Sequence, residues 1–387
     1  MSEKVLILGM GVSGKAAAAF LSKQGVPFVI KERAELPNEE FAYVVKSPGI
    51  PITDPAVQAA KARGLLVIGE VDLGLRALKN KKLLGITGSN GKTTTTLLVA
   101  HVLSERAVAV GNIGLPLVSQ VESKKEVFVI ELSSFQLETL QPAPYFDAAV
   151  LLNLTPNHLD RHASMEEYAA AKFRIASCMK KGAEFWIQKK AAAWGKIEQP
   201  LFFDEIKLDL PLAPHDLDNA KAAYVLCRKI GVSDAEFMQR VQTFQKPPHR
   251  MELVKIIGGV TYINDSKATS VDAVIKAVEA VNTPILLIAG GVDKGGSFES
   301  WITPFMGKVA HIFAIGGAAH RIAAEIHPKI PVTIISSLQE SVLRAKQMAK
   351  RGDTVLLSCG CSSFDQFKSF EHRGECFREY IVGEKKL

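Results

Sequence analysis

Residues 83–100 read "LLGITGSNGKTTTTLLVA": a short apolar strand, a loop bearing two glycines, and a threonine run that opens a helix. No other stretch constrains the fold so tightly. Successive backbone N–H groups in a glycine-permitted turn, joined to a helix N-terminus, present donors and a partial positive charge to a phosphate. Gly88 and Gly91 permit the turn around Ser89 and Asn90; Lys92 supplies a point charge for the β and γ phosphates, Thr93 a hydroxyl for magnesium, and Thr94 continues the first helical turn. The longer pattern G-x-x-x-x-G-K-[ST] needs glycine at 86, where the chain has Ile86, so this is a shorter G-x-x-G-K-T loop. An empty turn between strand and helix accounts for the glycines. It does not account for a lysine followed by four threonines, which are poor helix formers. A nucleoside triphosphate site is expected, and with it an acceptor for the phosphoryl group.

Length and composition narrow the classes that remain. A chain of 387 residues, 47% hydrophobic and 22% charged, has room for two or three globular domains. The opening "MSEKVLILGMGVSG" has only four consecutive apolar residues before glycines intervene, unlike a signal peptide. No run approaches the roughly 20 apolar residues that span a bilayer. The five cysteines are odd in number and lack C-x-x-C spacing, which supports neither a disulfide framework nor a zinc site. A reducing, cytoplasmic setting is expected. The net charge of +7 is scattered as isolated basic pairs without interleaved aromatics, so pockets for polyanionic small molecules are expected rather than nucleic-acid binding.

Three segments each begin with a strand: residues 1–78, 79–246 and 247–387. The second carries "VFVIELS" (127–133) and "DAAVLLNL" (147–154). The third follows Pro247 and Pro248 of "TFQKPPHR", which disfavour helix and mark a hinge, and then alternates strand and helix through "ILLIAGG", "HIFAIGG", "PVTIIS" and "DTVLLS". Apolar strands separated by helices imply parallel sheets, so all three segments are expected to be α/β. A phosphate-loop central domain would stand between two Rossmann-like ones, with ligands at the carboxyl ends of strands. The hinge would let the third segment close over the nucleotide.

A second glycine motif, "ILGMGVSG", places Gly9, Gly11 and Gly14 in the dinucleotide spacing after a strand. The next strand, "VPFVI", is followed by Lys31 and Glu32, so an acidic residue for a ribose hydroxyl arrives one place late. Two ligands remain open for this turn: a nicotinamide dinucleotide, or another diphosphate such as a nucleotide sugar. A chain that already has a triphosphate loop better suits the second.

Other residues stand where chemistry would need them. Glu131 ends the apolar run of "VIELSS" in the sheet next to the phosphate loop, a natural place for a metal ligand. His158 and His162 are four apart, as metal ligands on a helix are, but Leu159 stands where a zinc protease would carry glutamate. Lys172, flanked by Ala171 and Phe173 in "YAAAKFRIA", is expected to be partly buried mid-helix, its ammonium reaching solvent unless it has a function. Asp265, Ser266, Lys267 and Thr269 follow the strand "VTYIN". Phe364, Phe367 and Phe370 fall three apart, as on an amphipathic helix.

Taken with "GITGSNGKTT", "GNIGLP", "VIELSSFQLE", "LLNLTPNHLDRH", "SMEEYAAAKFRIA", "INDSKATS", "GGVDKG" and "SFDQFKSFEHRG", the chain resembles the Mur ligases of bacterial cell-wall synthesis along its whole length. "ELSSFQLE" and "DSKAT" are similar to the branch that adds D-glutamate to UDP-N-acetylmuramoyl-L-alanine. The resemblance implies a three-domain cytoplasmic ligase, expected as a monomer. ATP would phosphorylate the alanyl carboxylate, and the amine of D-glutamate would attack the acyl phosphate. It implies two magnesium ions, with Thr93, Glu131, His158 and a carbamylated Lys172 as ligands. Asn219 and Asp265 would contact the adenine and ribose of ATP, and Arg250 its phosphates. Gly11, Ser13 and Gly14 would grip UDP, with Glu32, Arg33 and Gly49 near, and Asn112 would meet the muramoyl-alanine portion. Lys267, Thr269, Lys294, Ser363, Phe364 and Phe370 would line the pocket for D-glutamate, whose two carboxylates need cations and donors.

The chain departs from this branch in places. Lys31 stands where an acidic residue is usual, His215 and Asp216 replace a His-Asn pair, and Cys359 and Gly360 replace proline and alanine. Between "VIKERA" and "VVKSPGI" the chain lacks room for a helix and strand usual in the family.

Overall fold

The computed structural model describes residues 4–32, 36–159, 161–195, 197, 200–212, 214–245 and 247–383. Arg33 and Asp160 lie outside the described residues, as does the side chain of His215. Two compact units make up the chain: Met1–Leu154 with Ser164–Phe244, and Thr155–Ala163 with Gln245–Leu387.

The first unit contains two sheets. Strands β1 (Val5–Leu8), β2 (Phe28–Lys31), β3 (Tyr43–Lys46) and β4 (Val67–Gly69) are all parallel, in the order β2-β1-β3-β4. Strand period decides which face each residue of "VLIL" covers. Val5 and Ile7 join a core with Ala17 and Leu21 of the helix Val12–Lys23, whereas Leu6 and Leu8 join Val57 and Ala60 of the helix Pro55–Ala62. Because β2 and β3 leave β1 on opposite sides, the switch of winding direction lies between β1 and β3, where α/β sheets bind ligands.

The second sheet comprises β5 (Lys82–Thr87), β6 (Ala107–Gly111), β7 (Val127–Glu131), β8 (Phe146–Leu151), β9 (Met179–Ile187) and β10 (Leu201–Phe202). It is parallel throughout, in the order β10-β9-β8-β5-β7-β6. Its central strands β5, β7 and β8 are largely apolar and buried along nearly their whole length, as strands covered on both faces require. Leu84, Ile86, Val127 and Val129 pack beneath the helices Lys92–Leu103 and Pro214–Lys229; Leu83, Phe128 and Ile130 face the other way.

The helix Glu70–Ala77 explains why these two sheets form one unit. Leu73 packs into a core of the first sheet, and Val71 and Leu75 into a core of the second. Two buried carboxylates tie it further: Glu70 accepts the N–H of Val118 at 2.8 Å and Asp72 that of Gln141 at 2.7 Å.

The second unit is built on β11 (Glu252–Ile257), β12 (Val260–Asn264), β13 (Ile285–Gly290), β14 (Val309–Ile315), β15 (Val332–Ile334) and β16 (Thr354–Leu357), in the order β11-β12-β16-β13-β14-β15. Only the hairpin of β11 and β12 is antiparallel. Cores lie on both faces: Ile285, Leu287 and Ala289 meet the helices Val271–Ala280 and Ala319–Ile326, while Leu286 and Ile288 meet Leu338–Met348 and Phe370–Val382.

The aromatic spacing at 364, 367 and 370 does not lie on one helix: the helix begins at Phe370, and Phe364 is 73% exposed. Among the described residues no helix is long and apolar enough to cross a membrane.

Candidate functional site

The phosphate loop leaves the carboxyl end of β5, in the middle of its sheet. Gly91 caps the helix Lys92–Leu103 in the left-handed region, with φ 84°, and a Cβ there would come within 2.2 Å of the Asn219 amide oxygen. Glycine is therefore required by both torsion and space. The loop is braced by the neighbouring strand: Asn153, just past β8, accepts the N–H groups of Ser89 (2.8 Å) and Asn90 (2.9 Å) on its backbone and side-chain oxygens and donates to the Asn90 carbonyl at 3.1 Å. Thr95 donates to the Asn219 amide oxygen at 3.4 Å, which brings the predicted nucleotide residue Asn219 to this loop. Thr93 and Thr94 lie in the helix's first turn, whose N–H groups have no acceptor within the helix.

Two lysines meet at one carbonyl oxygen. Lys92 Nζ donates to Gly88 O and Ser89 O, both at 2.8 Å, and Lys172 Nζ donates to Gly88 O at 2.9 Å. Instead of reaching solvent, Lys172 is only 1% exposed, on the helix Met165–Phe173 with the Tyr168 ring 4.7 Å from its nitrogen. Tyr168 in turn donates to Ser89 Oγ at 3.1 Å, and burial pushes its phenol up to about 12. Burial, and then the charge of Lys92, hold the Lys172 ammonium well below the usual lysine range, against the opposing pull of Glu131. The site thus holds a lysine biased towards the neutral amine beside one that carries its charge in the phosphate loop.

Glu131 ends β7, paired with Ile86 of β5 and 1% exposed. Its Oε1 accepts from the Asn112 amide at 2.8 Å, and Asn112 N donates to the Glu131 carbonyl at 2.9 Å. Its Oε2 is buried with no hydrogen-bond partner among the described residues. A buried carboxylate oxygen without a partner is costly unless a cation completes it. Magnesium fits that donor, since it takes one or two carboxylates and fills its remaining positions with water and phosphate oxygens. Among the described residues no three His, Cys, Asp or Glu side chains gather as an all-protein metal cage.

His158 and His162 belong to the segment Thr155–Ala163 of the second unit. They lie on a turn rather than a helix: His158 has φ 58°, and its carbonyl accepts the N–H groups of Arg161 and His162. Four-residue spacing brings side chains to one face only in a helix, so that expectation does not apply to this pair.

In the first sheet the glycine turn lies at the switch between β1 and β3. A Cβ on Gly14 would be 1.9 Å from the Gly9 carbonyl oxygen, so the third glycine lets helix and turn approach. Ser47 Oγ donates to that same carbonyl at 3.0 Å, and buried Lys46 donates to Ile50 O at 2.7 Å, fixing the turn that carries exposed Gly49. Gly11 and Ser13 open the helix beside it.

The second unit gathers its predicted residues beyond the carboxyl ends of β12, β13 and β16. Asp265 accepts from Ser358 Oγ at 2.8 Å and from Met251 N at 3.2 Å, next to half-buried Arg250. Lys267 Nζ stands 3.8 Å from the centre of the Phe370 ring, and Lys294 Nζ donates to Thr269 Oγ1 at 3.2 Å. Ser363 is buried. Beneath them Arg373, 1% exposed, donates to Ser266 Oγ and O and to the carbonyls of Cys361 and Gly290.

A profile of the Mur ligase middle domain matches residues 86–199, and one of the Mur ligase glutamate ligase domain matches residues 249–361. The chain is 40% identical over 435 residues to the UDP-N-acetylmuramoylalanine–D-glutamate ligase of Protochlamydia amoebophila (strain UWE25), with 98% of each chain covered. This chain belongs to the Mur ligase family. Relatives of the same name from Chlamydia pneumoniae and Caldicellulosiruptor bescii are 38% and 36% identical to this Mur ligase, covering 98% of it and 98% and 97% of their own lengths. The alignment with the first of these relatives is longer than the 387 residues of this Mur ligase, so that relative carries residues that it lacks.

Solved structures agree on the fold. The MurF ligase of Thermotoga maritima in complex with ADP superposes with a TM-score of 0.65 at 17% identity, covering 98% of this Mur ligase and 95% of that chain. The UDP-N-acetylmuramate-alanine ligase of the same organism gives 0.61 at 16%, covering 99% and 100%.

Several residues of this Mur ligase's sites escape a reading of the sequence. Asn153 carries a signal, a polar residue just past an apolar strand in "LLNLTPN". Tyr168 is four before Lys172 on the same helix, which its spacing allows. Arg373 carries no local signal, because its partners include Ser266, 107 residues away; the partner of Lys46, Ile50, is four residues on, in the turn that follows its strand.

Proposed function

We propose that this chain is an ATP-dependent amide ligase that joins D-glutamate to UDP-N-acetylmuramoyl-L-alanine in peptidoglycan precursor synthesis. The observation that carries the reading is the buried, unpartnered Glu131 oxygen beside a lysine-bearing phosphate loop, in a chain matched end to end by ligases of that name. A carboxylate resists attack by an amine because oxide would have to leave. Phosphorylation by ATP turns that oxygen into a phosphate leaving group, so the D-glutamate amine can form the amide with release of ADP and phosphate.

Bringing a carboxylate against a triphosphate assembles roughly four or five negative charges within a few ångströms, and this repulsion must be answered locally. Lys92 answers it at the β and γ phosphates. Thr93 and Glu131 would hold magnesium there and His158 a second ion; bound magnesium supplies charge neutralisation at the phosphoryl oxygens. Lys172, held towards its neutral amine, has the form that adds to carbon dioxide: nitrogen bonds to carbon, a proton leaves, and the resulting carbamate would join Glu131 as a ligand. Asn219, Asp265 and Arg250 would take the remainder of ATP. The turn of Gly11, Ser13, Gly14 and Gly49 would hold the uridine diphosphate, and Asn112, already bonded to Glu131, the muramoyl-alanine end. Lys267, Thr269, Lys294, Ser363, Phe364 and Phe370 would receive D-glutamate. The domains 1–78, 79–246 and 247–387 would carry these three tasks in a cytoplasmic monomer.

A coupled assay of ADP release across amino acids and nucleotide-sugar acceptors tests the reading. Release should require both UDP-N-acetylmuramoyl-L-alanine and D-glutamate, with L-glutamate inactive. Release indifferent to either substrate overturns it.

A further inference from the structure

The loop Asp293–Phe298 carries Lys294 but has no regular structure until residue 298, so something outside it must set the lysine's place. The helix Ala319–Ile326 does so from two of its residues. Arg321 pairs with the Asp293 carboxylate through Nη1 and donates through Nη2 to the Gly296 carbonyl at 2.8 Å. Its Nε donates to Glu325 Oε1 at 2.5 Å, and Glu325 Oε2 accepts the N–H of Phe298 at 2.6 Å and Ser297 Oγ at 3.3 Å. The Phe298 ring lies 5.2 Å from the guanidinium carbon. One fork thus holds the two residues that flank Lys294 and Gly295, and its carboxylate partner holds the far end of the loop.

The near end is held separately: Val292 and Ser362 exchange backbone hydrogen bonds at 2.8 and 3.0 Å, next to Ser363. Between these anchors Lys294 reaches Thr269. Charge matters as much as placement. Asp293 is adjacent to Lys294, and an unpaired carboxylate there would draw the ammonium back and repel a dicarboxylate ligand. Arg321 occupies it, and Asp293 Oδ1 is further used by Gly295 N at 3.0 Å.

We infer that Arg321, seated on Glu325, is a positioning and specificity-determining residue for D-glutamate, holding the Asp293–Phe298 loop so that Lys294 faces the substrate carboxylate and Asp293 does not. The inference rests on the proposed role of Lys294. Arg321, Asp293 and Glu325 are 38%, 30% and 21% exposed, outside the fully buried core, so removing the fork should leave that core intact. Steady-state kinetics on the full chain test it. Arg321→Met should raise KM for D-glutamate about tenfold, leave KM for ATP and for the nucleotide sugar unchanged, and lower kcat less than threefold. Arg321→Lys, which keeps the charge but not the planar fork, should recover only part of the loss. Adding Asp293→Asn to Arg321→Met should restore a share of the affinity by removing the competing carboxylate. Lys294→Ala separates the two levels of the argument. If it leaves KM for D-glutamate unchanged, the assignment of the loop is wrong; if it raises that KM while Arg321→Met does not, the positioning role is wrong. Should Arg321→Met fail to fold, Arg321→Lys and Glu325→Gln carry the same comparison, and parental KM values in both overturn the inference.

Discussion

The chemistry of the first unit depends on two residues whose surroundings differ in kind. Lys92 is turned onto the carbonyls of its own loop, so its ammonium stands where a phosphate would take it over. Lys92→Ala should therefore lower the rate of product formation on the order of 10²–10³-fold, as loss of a charge stabiliser at a reacting centre does. Binding of the nucleotide sugar, followed by calorimetry without ATP, should be unchanged; turnover at the parent rate would remove the loop from the reaction. Glu131 gives a different test, because glutamine can keep the bond from Asn112 while discarding the charge. Glu131→Gln should shift the magnesium concentration for half-maximal rate upward by at least about tenfold, since ligand charge is what a hard cation requires. An unaltered magnesium titration would show that the unpartnered oxygen is not a cation ligand.

At the level of elements, much of this molecule was open to reading and the rest was closed for identifiable reasons. Strands such as "VLIL", "VFVIE" and "ILLIAG" declare themselves because parallel strands covered on both faces must be apolar almost continuously. The glycine turns are equally legible, since each glycine answers a local demand: Gly91 a positive φ, Gly14 the close approach of a helix to Gly9. What stays hidden is set by contacts distant in sequence. Nothing around Lys172 signals full burial, because the loop that buries it lies 84 residues away. Four-residue spacing at His158 and His162 suits a helix, yet a positive φ at His158 makes the segment a turn. The spacing at Phe364 and Phe367 misleads in the same way. Gly14 offers the sharpest test at this scale. Gly14→Ala must move a carbonyl oxygen that would otherwise lie 1.9 Å from the new methyl group, and such overpacking costs about 1–3 kcal/mol. Urea unfolding should register that loss together with a weakened grip on the nucleotide sugar. A parental midpoint and affinity would mean that the turn tolerates opening.

At the scale of the whole chain, the first unit is joined by the helix Glu70–Ala77, and that seam contains a carboxylate whose ionisation the fold opposes. Glu70 is 3% exposed, and burial raises it from 4.5 to about 7, against the N–H groups of Val118 and Leu117 that favour its charged form. Its only charged neighbours on the same helix are Asp72, which is paired with Arg76, and Arg76 itself. Because the unfolded chain gives up this proton at lower pH than the folded one, the group's contribution to stability is complete below about pH 4.5. That contribution then declines as pH climbs and is gone above about pH 7. Glu70→Gln keeps an acceptor for Val118 while abolishing the titration. Between pH 5 and pH 8 the variant should gain about 2 kcal/mol on the parent, an upper range set by 1.36 kcal/mol per pKa unit. Calorimetric scans would show this as melting temperatures that are close at pH 5 and separate at pH 8 by a few degrees, at about 2–4 °C per kcal/mol for a unit of this size. Curves that stay parallel across that window would mean that Glu70 ionises in the fold as readily as in the unfolded chain, with the N–H groups of Val118 and Leu117 offsetting its burial.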